Sequence, residues 1–259
     1  MKTSLGHRVY YFRTVTSTQD EAKRLAEAGA PEGTVVLAEE QTAGRGRLGR
    51  TWISPVGSSI LMSVIFRPPL LPQQAHRLTM IASLSIAEAI ESLTPLKVKI
   101  KWPNDILIAG KKAGGILTEI RALEDRILYA IVGVGLNVNV KISDSPLSPL
   151  APYATSLSDE LGYELPRFTL LQEILLRLEE NYRELRKGRD FRGDWLARLY
   201  PLGQEISVIT PTGILEGVAI DINEDGALLL ATPEGEVKTV WAGDVTIKKE
   251  VKHEEKDNP

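Results

Sequence analysis

The segment Gln41-Thr-Ala-Gly-Arg-Gly-Arg-Leu-Gly-Arg-Thr-Trp52 constrains this chain more than any other. Three arginines (Arg45, Arg47, Arg50) alternate with three glycines (Gly44, Gly46, Gly49), and a tryptophan closes the run. Glycine lets backbone wrap closely around a ligand, and arginine brings permanent charge with a forked set of donors. The indole adds an aromatic face. Such a loop suits closure on a phosphorylated or carboxylated small molecule. Gly44-x-Gly46-x-x-Gly49 also matches the dinucleotide fingerprint literally, and Thr34–Ala38 before it reads as a strand. That fingerprint needs a helix to start at its last glycine, so that the helix N-terminus meets the pyrophosphate. Here Pro55 and Gly57 follow without helical periodicity, which excludes a Rossmann unit. A kinase glycine loop is excluded too, because no catalytic-loop or metal-binding triplet of that kind follows. The plainest alternative, a solvated basic loop, has to be weighed against the rest of the chain.

With 259 residues the chain can bury a full core in one large domain or two modest ones. A hydrophobic share of 43% and a charged share of 25% exclude wholesale disorder. A net charge of −3 gives no global field to draw nucleic acid, so the arginine cluster is local. The absence of cysteine excludes disulfides, thiolate metal sites and cysteine nucleophiles. His7, His76 and His253 are too scattered to suggest a metal pair, and no metal site is expected. No signal-peptide core follows Met1, and no apolar run approaches the roughly 20 residues of a membrane span. A soluble, cytoplasmic protein is expected.

Hydrophobic periodicity predicts a strand over 8–16 and a helix over 18–28, with Thr18-Gln-Asp-Glu21 as its capping box and Gly29 as its stop. Strands fit 34–39 and 60–66, and a long, largely buried helix fits 72–93. Lys97–Trp102 alternates strictly, which points Val98, Ile100 and Trp102 to the core. Pro103-Asn-Asp makes a turn, and 106–120 reads as a hairpin turning near Gly110–Lys112. A further strand covers 127–134 and runs into Gly135-Leu-Asn137. The proline-bearing stretch 139–152 reads as a mobile loop. Helices are expected at 155–161, at 168–187 with Phe168, Leu171, Ile174, Leu175, Leu178, Tyr182 and Leu185 on one face, and at 190–200 with Trp195 and Leu199 buried. From about 201 the pattern changes to short strands separated by Thr210-Pro-Thr-Gly, Asn223-Glu-Asp-Gly and Pro233-Glu-Gly turns, as in a small β-barrel. The domains so read are 1–200, 201–250 and a charged tail over 251–259.

Four polar motifs fall at strand ends or turns, where function concentrates. Each has a plain structural explanation alone. Ser17 and Thr18 can simply cap a helix, and Asn104-Asp105 after Pro103 is ordinary turn chemistry. Lys111 and Lys112 suit a solvated hairpin tip, Gly133 and Gly135 can relieve crowding in a strand, and Trp102 suits the core. Their order is the stronger signal. Ser17-Thr-Gln19, Gln41-x-x-Gly-Arg-Gly-Arg-x-Gly-Arg-x-Trp52, Lys101-Trp-Pro-Asn-Asp105, Lys112-x-x-Gly-Ile-Leu and Gly133-x-Gly-Leu-Asn-Val-Asn follow one another, and the set closely resembles the biotin–protein ligase family. The resemblance covers residues 17 to about 160, including Ala154-Thr-Ser-Leu, and the C-terminal barrel stands where that family carries one.

The resemblance implies an α+β fold: a class II synthetase-like mixed sheet with flanking helices, followed by a small SH3-like β-barrel. It also implies a two-step activity. Biotin attacks the α-phosphorus of ATP, supplied with Mg²⁺, to give biotinyl-5′-AMP and pyrophosphate. A lysine of a biotin carboxyl carrier domain then attacks this anhydride and releases AMP. By motif position Lys112, Arg47 and Arg45 carry the catalytic charge, with Lys112 bridging carboxylate and α-phosphate and Arg50 reaching the phosphates. Biotin would lie against Ser17, Thr18, Gln19, Gln41, Gly44, Arg45, Gly46, Arg47, Lys112, Gly115, Gly133 and Gly135. The adenylate would meet Arg47, Arg50, Trp52, Asn104, Lys112 and Asn137. No general base stands out, Asp105 being a weak candidate. Gln19 stands where many relatives carry asparagine, which bears on that contact alone, and Gly114 stands where alanine is common. The first strand begins so early that the form without a helix-turn-helix module is expected, hence no DNA partner; the lack of a long apolar run argues for no membrane, and the resemblance implies a homodimer. Two other readings remain: a lipoate or octanoate ligase of related fold, or a non-catalytic biotin-binding relative. A nucleic-acid module is more distant, because the basic patch is short.

Overall fold

Eight strands lie side by side in the larger of two sheets in the computed structural model, which describes residues 5–210 and 212–247. They are β1 (Arg8–Val15), β2 (Thr34–Gln41), β3 (Ser59–Phe66), β4 (Val98–Lys101), β5 (Asp105–Ile108), β6 (Lys111–Leu123), β7 (Arg126–Asn137) and β8 (Leu199–Tyr200). Their order is β1-β2-β3-β7-β6-β5-β4-β8. The outer pairs β1–β2 and β4–β8 are parallel, and the five pairs between them are antiparallel.

Side-chain alternation explains why this sheet is covered on both faces. Ile60, Met62, Val64 and Phe66 of β3, with Ala130, Val132, Val134 and Leu136 of β7, join the main core. That core lies under α2 (His76–Leu93) and α4 (Arg167–Arg186). Their odd-numbered neighbours Ile65 and Ile131 face the other way, and meet Ala22, Leu25 and Ala26 of α1 (Thr18–Glu27). Two shorter helices, α3 (Leu157–Leu161) and α5 (Arg192–Leu196), complete the unit. Among the described residues no helix is long and apolar enough to cross a membrane.

The second sheet is antiparallel. Its strands β9 (Glu205–Thr210), β10 (Gly213–Ile222), β11 (Leu228–Ala231), β12 (Val237–Val240) and β13 (Asp244–Ile247) lie in the order β12-β11-β10-β9-β13. It docks on the first unit through buried and polar contacts together. The indole Nε1 of Trp102 donates to the Gly226 carbonyl (2.9 Å), Arg77 pairs with Asp225 (2.7 Å), and Arg192 pairs with Asp221. The tail over 251–259 lies outside the described residues.

Three local expectations need correction. The helix read over 190–200 stops at Leu196, because Leu199 and Tyr200 pair in parallel with Ile100 and Lys101. A pairing across about a hundred residues leaves no local signature. Phe168 stands exposed, whereas the buried stripe of α4 runs through Leu170, Ile174, Leu178, Tyr182 and Leu185. Two residues at helical pitch turn Phe168 roughly 200° away from Leu170. The N-cap of α1 is Ser17, whose side chain accepts from the Gln19 amide; Thr18 is the first helical residue. The 139–152 stretch carries two 3-10 turns, Ile142–Asp144 and Ser148–Leu150, around Val140, Ile142 and Leu147.

Candidate active site

A cleft of about 760 Å³, counting its open mouth, lies on the α1 face of the central strands. Its floor is made by missing side chains. Gly133 and Gly135 of β7 and Gly115 of β6 occupy the face on which Ile131 and Tyr129 elsewhere carry bulk. A β-carbon on Gly133 would fall 2.4 Å from Oε1 of Gln19, and one on Gly135 would fall 2.5 Å from the Trp52 ring. These glycines therefore leave room for two specific side chains, one at each end of the cleft.

At the first end the polar groups are buried and already bonded. Ser17, Thr18 and Gln19 are each under 5% exposed. Gln19 Nε2 donates to the carbonyls of Leu117 (3.3 Å) and Ile131 (3.2 Å), which settles the orientation of its amide. Gln41 Oε1 accepts from both the amide (2.7 Å) and the hydroxyl (3.0 Å) of Thr18. Ser63, fully buried in β3, donates toward Thr18 Oγ1 (2.9 Å) and Gln19 Oε1 (3.1 Å). Capping by Ser17 is what frees the Thr18 hydroxyl for this network.

The other end is cationic, and three of its four cations pair with carboxylates. Lys112 Nζ meets Asp105 Oδ1 at 2.7 Å and lies 5.9 Å from the centre of the Trp52 ring. Lys112 owes its place to a register shift: Ile106 pairs with Gly114, but Leu107 pairs with Lys112. The extra residue, fully buried Ala113, turns toward the core, and Lys112 shares the cleft face with Gly115. Arg45 meets Asp20 (2.6 Å) and Glu119 (3.2 Å), and Arg50 pairs with Asp244 of β13. Arg47 donates to Asn104 Oδ1 (3.0 Å) and to the Gly243 carbonyl (3.3 Å). Burial pulls the Arg47 guanidinium below its ordinary value, and Asp244 and Asp105 act the other way. Exposed ion pairs contribute about 0–1 kcal/mol each, so these carboxylates hold the cations loosely.

Past Arg47 and Asn104 the cleft adjoins a second space of about 530 Å³, reaching His76 and Trp241. Burial, then the Arg47 charge, pushes the His76 imidazole down to about 4, so it is neutral near pH 7.

The fold brings together nearly every candidate read from the sequence. Ser17, Thr18, Gln19, Gln41, Arg45, Gly46, Arg47, Arg50, Trp52, Asn104, Lys112, Gly115, Gly133 and Gly135 all line the cleft. Two candidates stand outside its lining. Gly44 packs beneath the loop, where a β-carbon would meet the Trp52 carbonyl at 2.5 Å. Asn137 is buried, with Nδ2 donating to the Thr155 carbonyl at 3.1 Å. Ser63 and Asp244 line the cleft and escaped the sequence reading. Ser63 left a trace, as the one polar residue inside the apolar run Ile60–Phe66; Asp244 left none.

Comparison with known proteins decides the family. Residues 11–137 match the biotin/lipoate A/B protein ligase family, and residues 202–248 match the biotin protein ligase C terminal domain. The bifunctional ligase/repressor BirA of Bacillus spizizenii is 40% identical over 245 residues, 94% of this chain and 75% of that protein. The chain belongs to the biotin protein ligase family. Within it, the biotin–[acetyl-CoA-carboxylase] ligase of Mycobacterium tuberculosis is 35% identical, over 90% of this chain and 86% of that one. The biotin protein ligase of Aquifex aeolicus, solved in complex with biotin and ATP, superposes with a TM-score of 0.78 at 30% identity. That likeness covers 94% of this chain and 99% of the other. The mixed sheet with flanking helices and the separate antiparallel C-terminal sheet are thus the biotin protein ligase fold.

Proposed function

We propose that this protein is an ATP-dependent biotin–protein ligase, which makes biotinyl-5′-AMP and passes biotin to a lysine of a biotin carboxyl carrier domain. The observation that carries this is one cleft with two unlike ends: a hydrogen-bonded cluster of buried Ser17, Thr18, Gln19 and Ser63 with half-buried Gln41, and four cations at Arg45, Arg47, Arg50 and Lys112. A ureido ring is a polar group on an otherwise apolar acid, and needs such partners when buried. Two anions brought into contact need fixed positive charge between them.

In this reading the biotin carboxylate oxygen attacks the α-phosphorus of ATP, and the bond to the bridging oxygen of pyrophosphate breaks. Lys112 leaves Asp105 to bridge carboxylate and α-phosphate, while Arg47 and Arg50 take the phosphate charge. Mg²⁺ travels with the ATP phosphates. In the second step a neutral acceptor lysine attacks the acyl carbon, loses a proton and expels AMP. Trp52, now resting on Gly135 and Gly115, moves to cover the adenine. Asn104 stands beside Arg47 for the nucleotide, and Asn137 supports that end from behind. We read the catalytic unit as 1–200 and an SH3-like barrel as 201–250, and within the described residues the second sheet meets the arginine loop at Gly243 and Asp244. A net charge of −3 gives no global field to draw DNA or an anionic membrane surface, and a cytoplasmic homodimer is proposed from the family alone.

ATP–pyrophosphate exchange tests the reading, with biotin, lipoate and octanoate supplied separately. Exchange with biotin alone supports it. Exchange with lipoate or octanoate moves the substrate, and none with any acid from folded protein defeats an adenylating role.

A further inference from the structure

Ser63 belongs to none of the motifs that carry the family resemblance, yet it ties the ureido end together. Its neighbours leave it little choice of hydrogen-bond direction. Gln19 commits its nitrogen to two backbone carbonyls, so Oε1 is an acceptor only. Gln41 Oε1 receives the Thr18 backbone amide, so that amide is oriented as well, with Nε2 at its opposite end. The Thr18 hydroxyl donates to the same Gln41 oxygen. The Ser63 hydroxyl then holds one proton for two acceptors, Gln19 Oε1 at 3.1 Å and Thr18 Oγ1 at 2.9 Å.

We infer that Ser63 is a positioning residue that sets the hydrogen-bond polarity of the cleft for a cyclic urea. With the Thr18 proton spent on Gln41, the Thr18 oxygen faces the cleft as an acceptor, suited to a ligand N–H. Ser63 accommodates the newcomer by giving its own proton to Gln19. The Gln41 Nε2 group and the Ser17 hydroxyl, whose oxygen already accepts the Gln19 amide, supply donors for a ligand carbonyl. An acceptor beside donors matches adjoining N–H and C=O groups, and gives nothing to the end of a plain acyl chain. Gln19 is long enough to close this circuit: it reaches carbonyls on β6 and β7 and presses Oε1 onto Gly133. Removing the Ser63 hydroxyl would strand that oxygen and take away the donor that faces the Thr18 oxygen, without touching the cations at the other end.

The inference rests on the biotin ligase reading, and the experiment separates the two. Wild-type protein is first heated with biotin alone; a rise in melting temperature, together with biotin-dependent exchange, establishes the ligand. Ser63→Ala is then expected to raise KM for biotin and for desthiobiotin, which keeps the ureido ring, about tenfold in parallel. The kcat and the KM for ATP should stay within about twofold, because the cationic end is untouched. The same variant should need about tenfold more biotin for an equal thermal shift. Ser63→Cys keeps the shape and a weak donor, and should fall between the two proteins. A biotin KM within about twofold of wild type, or a loss shared equally by KM for ATP and kcat, would overturn the role. If Ser63→Ala does not fold, Ser63→Cys is judged by the same criteria. A wild-type protein with neither thermal shift nor exchange defeats the ligase reading itself, and the role of Ser63 falls with it.

Discussion

The two ends of the cleft solve opposite problems with the same kind of side-chain chemistry. At the Ser17 end, Thr18, Gln19, Gln41 and Ser63 are bonded to one another and to backbone. At the cationic end, Arg45, Arg50 and Lys112 lean on carboxylates across half-exposed pairs. Leaving a buried polar group unpaired costs about 1–3 kcal/mol, whereas breaking an exposed pair costs about 0–1 kcal/mol. The first end therefore holds its hydrogen bonds more firmly than the second holds its ion pairs. Burial, more than residue type, makes the difference.

The largest expected effect breaks the contrast at its charged end. Lys112→Ala should cut biotinyl-AMP formation by about 10³-fold, the scale of losing a preorganised charge contact. Isothermal titration of the apoprotein with biotin should show far less change. Near-normal single-turnover adenylation would remove Lys112 from the chemistry.

Two glycines on one strand compare the ends directly. Gly133→Ala drives a methyl onto a Gln19 oxygen held by several bonds, so it should destabilise the protein by about 1–3 kcal/mol and weaken biotin binding. Gly135→Ala meets Trp52, which rides on a loop and can swing away. It should cost under about 1 kcal/mol in thermal unfolding while loosening the loop. Equal costs in urea unfolding would mean that Trp52 is as fixed as Gln19.

Arg47 ties the loop to Asn104 and to the Gly243 carbonyl, and so sharpens the question of closure. Arg47→Gly should raise release of free biotinyl-AMP by about tenfold, read as labelling of bystander proteins, since it removes both a phosphate cation and a loop anchor. Undiminished retention of the intermediate would show that the loop is no lid. The smallest effect separates the ends by screening. Raising salt from about 0.05 M to about 0.5 M should weaken ATP binding by a few-fold and leave biotin binding nearly unchanged. An equal response of both would put the buried end within reach of solvent ions.

Much of this was legible in the chain. The alternation at Val98, Ile100 and Trp102, the long buried helix ending at Leu93 and the hairpin around Gly110 all stand where the periodicity puts them. Local pattern sufficed there because burial follows the period of the element itself. The errors cluster where a distant partner decides. β8 pairs with the edge that Ile100 and Lys101 offer, and Phe168 is exposed while Leu170, about 200° round the helix, is buried. With Ser17 as the cap, the Thr18 hydroxyl donates to Gln41, 23 residues away, a partner that no local pattern announces.

The site divides along the same line. Residue order alone determined which chemistry the chain can carry: the glycine–arginine loop, the lysine after the hairpin turn and the paired glycines of β7 are local words with a local meaning. Only the tertiary structure decided which of those groups are free and which are bound. The register shift at Ile106–Leu107 turns Lys112 into the cleft, β3 slides Ser63 under Thr18 and Gln19, and the second sheet brings Asp244 to Arg50. A hydrogen bond or an ion pair depends on distances of a few ångströms between residues far apart in the chain, and those distances exist only once the strands have paired.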